Sequence, residues 1–252
     1  MKVKIICITN LDVERSFIDV LQKIDENDKK IKFCIDFEFN NKNVGLMQLY
    51  ITKLNLLYLL NPELFTSENK GILIEKIFIS KNIKILHGSE SNDIPYIFNL
   101  LLKRDPDLIG LFLNNYYDTR FICSYLGFKR CNLYSALESV KVVDDTKIEY
   151  LKSIEHKLGK IWKIHWDPRK LNKNQMIYAL YDVLLLSKLF RKQKHLCKIN
   201  VLHLERLALA LRISLLYRQN LLHNYKIKIE NPEEYFGSIL DIDYLRILRS
   251  KL

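Results

Sequence analysis

Three observations predict a mixed α/β sheet of about five strands with helices on its faces, continued by a C-terminal helical extension. Short apolar runs rich in Ile, Leu, Val and aromatics recur up to residue 118, each bounded by Asn, Asp, Gly or Lys turns. Helical periodicity alternates with these runs, which is the pattern of an α/β chain. After about residue 195 strand signals cease and Leu-rich helical sequence takes over. The expected division is a domain over 1–195 and a helical extension over 196–252.

Taken in order, residues 3–9 form a short apolar strand. Asn10 or Asp12 can cap the helix expected over 11–24, whose apolar positions include Phe17, Ile18 and Leu21. A charged turn over 25–30 leads into the run 31–39, Ile-Lys-Phe-Cys-Ile-Asp-Phe-Glu-Phe. Residues 40–43 turn the chain back into a second strand over 44–51, making a hairpin, and 54–59 reads as a third strand. Asn61-Pro62 breaks the pattern and 66–80 is mostly helix. A strand over 83–87 ends at Gly88, and a helix over 91–103 carries Asp93 in its first turn. A strand over 115–118 and helices over 119–126, 133–140 and 144–160 follow. Asn172 caps a helix over 173–192. Residues 201–222 show no strand signal, and a last helix is expected over 239–252, after Asn231-Pro232.

The 252-residue chain is long enough for one good core and an appendage. Its 48% hydrophobic content is globular, and no apolar run approaches the ~18 residues of a membrane span. The apolar stretch at the N-terminus is too short for a signal peptide. Five scattered cysteines, with no Cys-x-x-Cys pair, argue against a zinc site or a disulfide framework. Reduced thiols and an intracellular protein are expected, the cytoplasm favoured over the nucleus. Net charge is +11, and residues 160–198 hold ten Lys/Arg against two Asp. A basic cluster of this kind is either a solvated face or a phosphate-binding footprint.

The chemistry starts at the 31–39 strand. Asp36 and Glu38 are two apart, so both point to one face. Two acids on one face of an apolar strand repel and lose hydration unless a cation sits between them. Carboxylate oxygens suit Mg²⁺ or Mn²⁺. An edge strand with solvated acids is the plain alternative. Asp93 follows a strand end at a helix start, where an acid is either a first-turn capping group or faces a site. Tyr178 and Asp182 are i,i+4 on the late helix, hence neighbours, in an apolar setting that makes an unpartnered acid costly. Tyr178 alone could equally be a core aromatic.

Asp36-x-Glu38 on a strand, Asp93 after a strand, and Tyr178-x-x-x-Asp182 on a late helix, in that order, resemble the DEDDy branch of the DnaQ-like 3′–5′ exonucleases. RNase D and Werner-type domains are nearest in pattern. Gln48 resembles the family's Leu-x-Gln, Asp118-Thr119-Arg120 before Leu126-Gly127 its Asp-Thr-Gln…Leu-Gly, and Trp166 to Leu171 its Trp…Arg-Pro-Leu. The Pro-Leu pair is absent, and Arg120 stands where Gln is usual.

The resemblance covers roughly residues 5–192 and implies an RNase H-like fold. It implies that Asp36, Glu38, Asp93 and Asp182 hold two divalent ions, Mg²⁺ or Mn²⁺, with Tyr178 orienting the attacking water. The substrate it implies is a single-stranded or 3′-ended nucleic acid, RNA favoured over DNA. Arg169, Lys170 and Lys173 would hold its backbone, and Phe37, Phe39 or Tyr96 would stack on the terminal base. For Phe37 and Phe39 ordinary core packing competes with that role. The alternative function is an exonuclease-fold RNA-binding or dimerising adaptor, with the extension as a possible homodimer or partner surface. Such adaptors usually lack acidic ligands that this chain retains. A proofreading module on DNA is a third reading. No membrane association is expected.

Overall fold

The structure, a computed structural model, describes residues 3–225. In chain order the elements are β1 (Lys4–Cys7), α1 (Leu11–Gln22), β2 (Lys32–Asn40), β3 (Asn43–Ile51), β4 (Leu56–Leu60), α2 (Ser67–Leu73), β5 (Ile83–Leu86), α3 (Asp93–Tyr96) and α4 (Pro106–Asn114). Then come β6 (Tyr116–Asp118), α5 (Thr119–Tyr125), α6 (Leu133–Ser139), α7 (Asp145–Leu158), α8 (Lys173–Leu184), α9 (Leu186–Ile199) and α10 (Leu204–Arg218). These form two compact units. Unit 1 takes residues up to 86 and 144–187; unit 2 takes 87–143 and the chain from 188.

Unit 1 holds five strands in the order β1-β4-β3-β2-β5. β2 and β3 pair antiparallel, as do β3 and β4, while β1–β4 and β2–β5 are parallel. The mixed sheet flanked by helices is therefore as expected, and the strand carrying Asp36 and Glu38 is interior, with β3 as its antiparallel neighbour. Its interior place follows from its apolar content: Phe33, Cys34 and Ile35 are fully buried. On one side α1 packs through Phe17, whose ring lies 4.6 Å from that of Tyr58 on β4. Phe37 stacks 6.5 Å from Phe78. α8 packs on β2 and β3, and α7 on α8.

Unit 2 contains β6, α3 to α6, and most of α9 with α10. α4 was not anticipated. Its signal is nonetheless present: Asp105 accepts from the N–H groups of Asp107 and Leu108, and Pro106 occupies the first turn. The helix expected over 173–192 is two helices, divided at Leu185 and continued to Ile199. β4 starts at Leu56 because residues 52–55 are a turn with Asn55 at φ +53°. The expectation of reduced thiols is corrected at one pair: Cys123 and Cys131 form a disulfide, Cα–Cα 5.7 Å. The short turn after α5 brings together two cysteines whose spacing of eight matches no familiar motif. Cys7, Cys34 and Cys197 are free.

The described part of the extension covers its own unit. α10 packs on α5, Arg212 donates to the Asn114 carbonyl at 2.8 Å, and the Tyr225 hydroxyl donates to the Pro106 carbonyl at 2.5 Å. The helix expected over 239–252 lies outside the described residues.

Candidate metal centre and its supports

Asp36 and Glu38 leave β2 on one face, and α8 brings Asp182 to them. One carboxylate oxygen from each lies within 4.8 Å of the others. Glu38 and Asp182 are each only 8% exposed. Burial pushes the Asp36 carboxyl up to about 7, opposed by the backbone N–H of Phe37. Asp182 is raised well above the usual range, first by burial and then by the charge of Asp36, while a hydrogen bond from Tyr178 opposes the rise. Burial is the leading cause of both shifts, and at Asp182 the neighbouring charge of Asp36 adds to it. Glu155 on α7 adds a further negative charge near Asp182. Sequence reasoning passed over it, because α7 reads as a polar surface helix.

α8 is placed accurately for this task. Asn172 and Gln175 form a reciprocal capping box, Asn172 Oδ1 accepting from the Gln175 N–H at 3.0 Å and Gln175 Oε1 from the Asn172 N–H at 2.8 Å. Tyr178 is one turn before Asp182 and its ring lies 5.9 Å from that of Trp166, which is 1% exposed. Asn40, at the end of β2, holds Trp166 by both backbone groups: it donates to the carbonyl at 2.8 Å and accepts from the N–H at 2.7 Å. The same strand thus carries two of the clustered acids and, through Asn40 and Trp166, seats Tyr178. Gly45 allows that approach. A Cβ there would meet Asn40 Nδ2 at 2.4 Å and the Trp166 carbonyl at 2.6 Å.

Gln48 faces Asp36 directly across β2–β3, so the two side chains share a face. Its amide is fully buried, and neither Oε1 nor Nε2 has a hydrogen-bond partner among the described residues. Buried amides are rarely left so. Three clustered carboxylates, two of them with raised pKa, beside an unpartnered amide, fit a hard divalent cation with bound water.

Asp93 belongs to unit 2, buried in the first turn of α3. The turn before it is fixed by Asp118. That carboxylate accepts from the N–H groups of Gly88 and Ser89 at 2.9 Å, from Ser89 Oγ at 3.0 Å, from the Tyr116 hydroxyl at 3.2 Å and from the Arg120 N–H at 2.9 Å. Gly88, at φ +68°, makes the turn possible. Arg120, unusual by the family pattern, pairs with Glu90 at 3.1 Å.

The residues expected to bind nucleic acid are scattered. Arg169 forms a two-pronged ion pair with Asp167, Nε–Oδ1 and Nη2–Oδ2 both 2.9 Å. Lys170 and Lys173 are exposed, Lys173 at the start of α8. Phe37 is buried on the sheet face opposite Asp36, against Phe39 and Phe78. Tyr96 is buried at the end of α3 in unit 2. Among the described residues no helix is long and apolar enough to cross a membrane.

No protein-family model matches the chain. An uncharacterized protein of Acanthamoeba polyphaga mimivirus is 32% identical over 185 residues, covering 66% of this chain and 36% of that protein. The chain thus spans little more than a third of that relative's length. Among solved structures, the RNase D:GMP complex of Trypanosoma brucei aligns over 94% of this chain and 72% of its own, with TM-score 0.54 and 14% identity. The Nibbler EXO domain of Aedes aegypti aligns over 84% and 98%, with TM-score 0.53 and 14% identity. The catalytic core of RRP6 from Trypanosoma brucei aligns over 77% and 47%, with TM-score 0.51 and 18% identity. Its sheet, its helices and these neighbours agree: the chain has the fold of the DnaQ-like 3′–5′ exonucleases.

Proposed function

We propose that the chain is a metal-dependent 3′–5′ exonuclease of the DEDDy type, acting on nucleic acid with a free 3′ end, RNA in preference to DNA. The observation that carries this reading is the meeting of Asp36, Glu38 and Asp182 within 4.8 Å, largely out of water. Like charges so placed are costly without a counter-ion. Asp36, Glu38 and Asp182 would hold divalent cations, and the family motif assigns Asp93 as the fourth carboxylate.

When bound, two such ions supply an activated water and charge stabilisation at the leaving oxygen. The protein's own part is positioning. Tyr178 donates its hydroxyl hydrogen to Asp182, and a phenol oxygen is an acceptor as well as a donor, the capacity needed to turn a water. A phenol is protonated at neutral pH unless strongly perturbed, so it serves as an orienting group rather than a base. Trp166 and Asn40 keep the Tyr178 ring in place. Lys170 and Lys173 offer charge to the strand, and Arg169 offers less, being already committed to Asp167.

The test is mononucleotide release from 5′-labelled RNA and DNA of matched sequence, with Mg²⁺ or Mn²⁺ and with chelator. Stepwise shortening from the 3′ end that stops on chelation is the expected result. Intact strands under all metal conditions would leave the adaptor reading in its place.

A further inference from the structure

In unit 2, α9 carries Lys188, Arg191, Lys192, Lys194 and Lys198 and no acid. Among the described residues none of the five is in an ion pair. Like charges three and four residues apart on a helix cost a few tenths of a kcal/mol each, so the arrangement works against the helix that bears it. The other face is committed to the core: Leu186, Leu189, Phe190, Gln193 and Cys197 are buried, and Gln193 Nε2 donates to the Thr119 carbonyl at 3.0 Å. That bond fixes the rotation of α9 about its axis. Lys188, Arg191, Lys192, His195 and Lys198 then fall on one exposed stripe, at i, i+3, i+4, i+7 and i+10.

Beside the stripe is a groove of about 700 Å³, lined by Val140, Lys141, Arg191, Lys192, His195 and Leu196. Lys141 adds a cation from the end of α6, at φ +51°. Its carbonyl accepts from the Lys192 ammonium, which holds the two walls together. The cations are strung along the helix rather than converging on one point. Ten residues of helix span about 15 Å, the length of about four stacked nucleotides at ~3.4 Å each. A compact anion would need donors arranged around it; a strand needs them in a row, with apolar surface such as Val140 and Leu196 between.

We propose that this groove takes the sugar–phosphate backbone of a single-stranded nucleic acid about four nucleotides long. The assignment rests on the reading of nucleic acid as the substrate. Binding is measured by fluorescence anisotropy of a labelled twelve-nucleotide poly-U strand on the full chain in EDTA, where no hydrolysis intervenes. Lys141→Glu with Arg191→Glu should reduce the log–log salt slope by about 1.4, at ~0.7 per lost single-strand phosphate contact. Melting temperature should hold or rise, since both residues are surface cations in a like-charged cluster. An unchanged slope in a folded variant would overturn the proposal. So would displacement of the strand by poly-glutamate as readily as by unlabelled poly-U, which would mark the groove as a seat for an acidic protein segment. Because this assay needs no turnover, its outcome stands apart from whether the chain releases nucleotides.

Discussion

Two acidic centres in this molecule are built on opposite principles. In unit 2, Asp118 is 1% exposed and meets donors on every side: three backbone N–H groups and the hydroxyls of Ser89 and Tyr116. In unit 1, Asp36, Glu38 and Asp182 meet one another. Asp36 gains the Phe37 N–H and Asp182 the Tyr178 hydroxyl, yet burial still raises both carboxyls, and the charge of Asp36 adds to the rise at Asp182. A carboxylate surrounded by donors ties the chain together. Carboxylates gathered against each other destabilise the protein that bears them, a cost that a bound cation would offset. Burial alone does not separate the two cases; the chemistry of the neighbours does.

The largest expected effects test that contrast directly. Asp36→Ala should abolish nucleotide release, a loss of about 10³-fold or more, while metal-free stability holds or rises because a repelling charge is gone. Asp118→Ala should do the reverse to stability. It strands several buried donors at once, at about 1–3 kcal/mol each where no rearrangement satisfies them, so a loss of about 3 kcal/mol or more is expected. Melting curves and single-turnover rates on both variants decide it. An Asp36→Ala protein that melts lower than Asp118→Ala would erase the distinction between structural and ion-holding acids.

Tyr178→Phe should have a smaller effect, and on rate rather than stability. The ring stays against Trp166, so packing survives. Only the hydroxyl that bonds Asp182 is lost. Loss of one positioned polar group costs about 10²-fold in rate, and substrate binding should hardly change, the pattern of an interaction made in the transition state. Wild-type turnover with a stability loss near 1 kcal/mol would instead make Tyr178 a core aromatic.

Much of this architecture was legible in the sequence, for local reasons. The β2–β3 hairpin shows as two apolar runs about a polar turn, and the Asn172 cap as a helix start. Asp36, Glu38 and Asp182 stand out because acids in apolar segments are anomalous. What escaped was set by distance along the chain. Asn40 and Trp166 are 126 residues apart, and nothing local marks Asn40 as more than a turn residue. Glu155 joins the acids only because α7 packs on α8. Cys123 and Cys131 sit at a spacing no rule singles out. The basic stretch 160–198 read as one feature, but the chain divides it between the two units.

The smallest effect sharpens the comparison from the side of unit 2, through His87. Its Nδ1 lies 2.8 Å from Thr119 Oγ1, and burial lowers its pKa to about 4, with the Arg120 charge adding to the fall and that of Asp118 opposing it. The unfolded chain titrates near 6.5. Above pH 6.5 His87 is neutral in both states and its contribution is complete. Between 6.5 and 4 the unfolded state binds a proton that the folded state refuses, so stability falls as pH falls. Near pH 4 the folded state takes the proton as well, and the contribution is spent. Since His87 as a residue is half-buried, the loss across this window should be about 2 kcal/mol rather than the full value of the shift. The buried carboxylates of unit 1 move the other way, protonating more readily folded than unfolded, but that background is common to wild type and variant. His87→Asn should therefore flatten the acid limb of the melting profile relative to wild type between pH 6.5 and 4 and leave pH 8 behaviour close to it. Parallel profiles would mean that the imidazole is solvated enough to titrate normally, and that Asp118 alone, without a neutral histidine beside it, fixes the turn before Asp93.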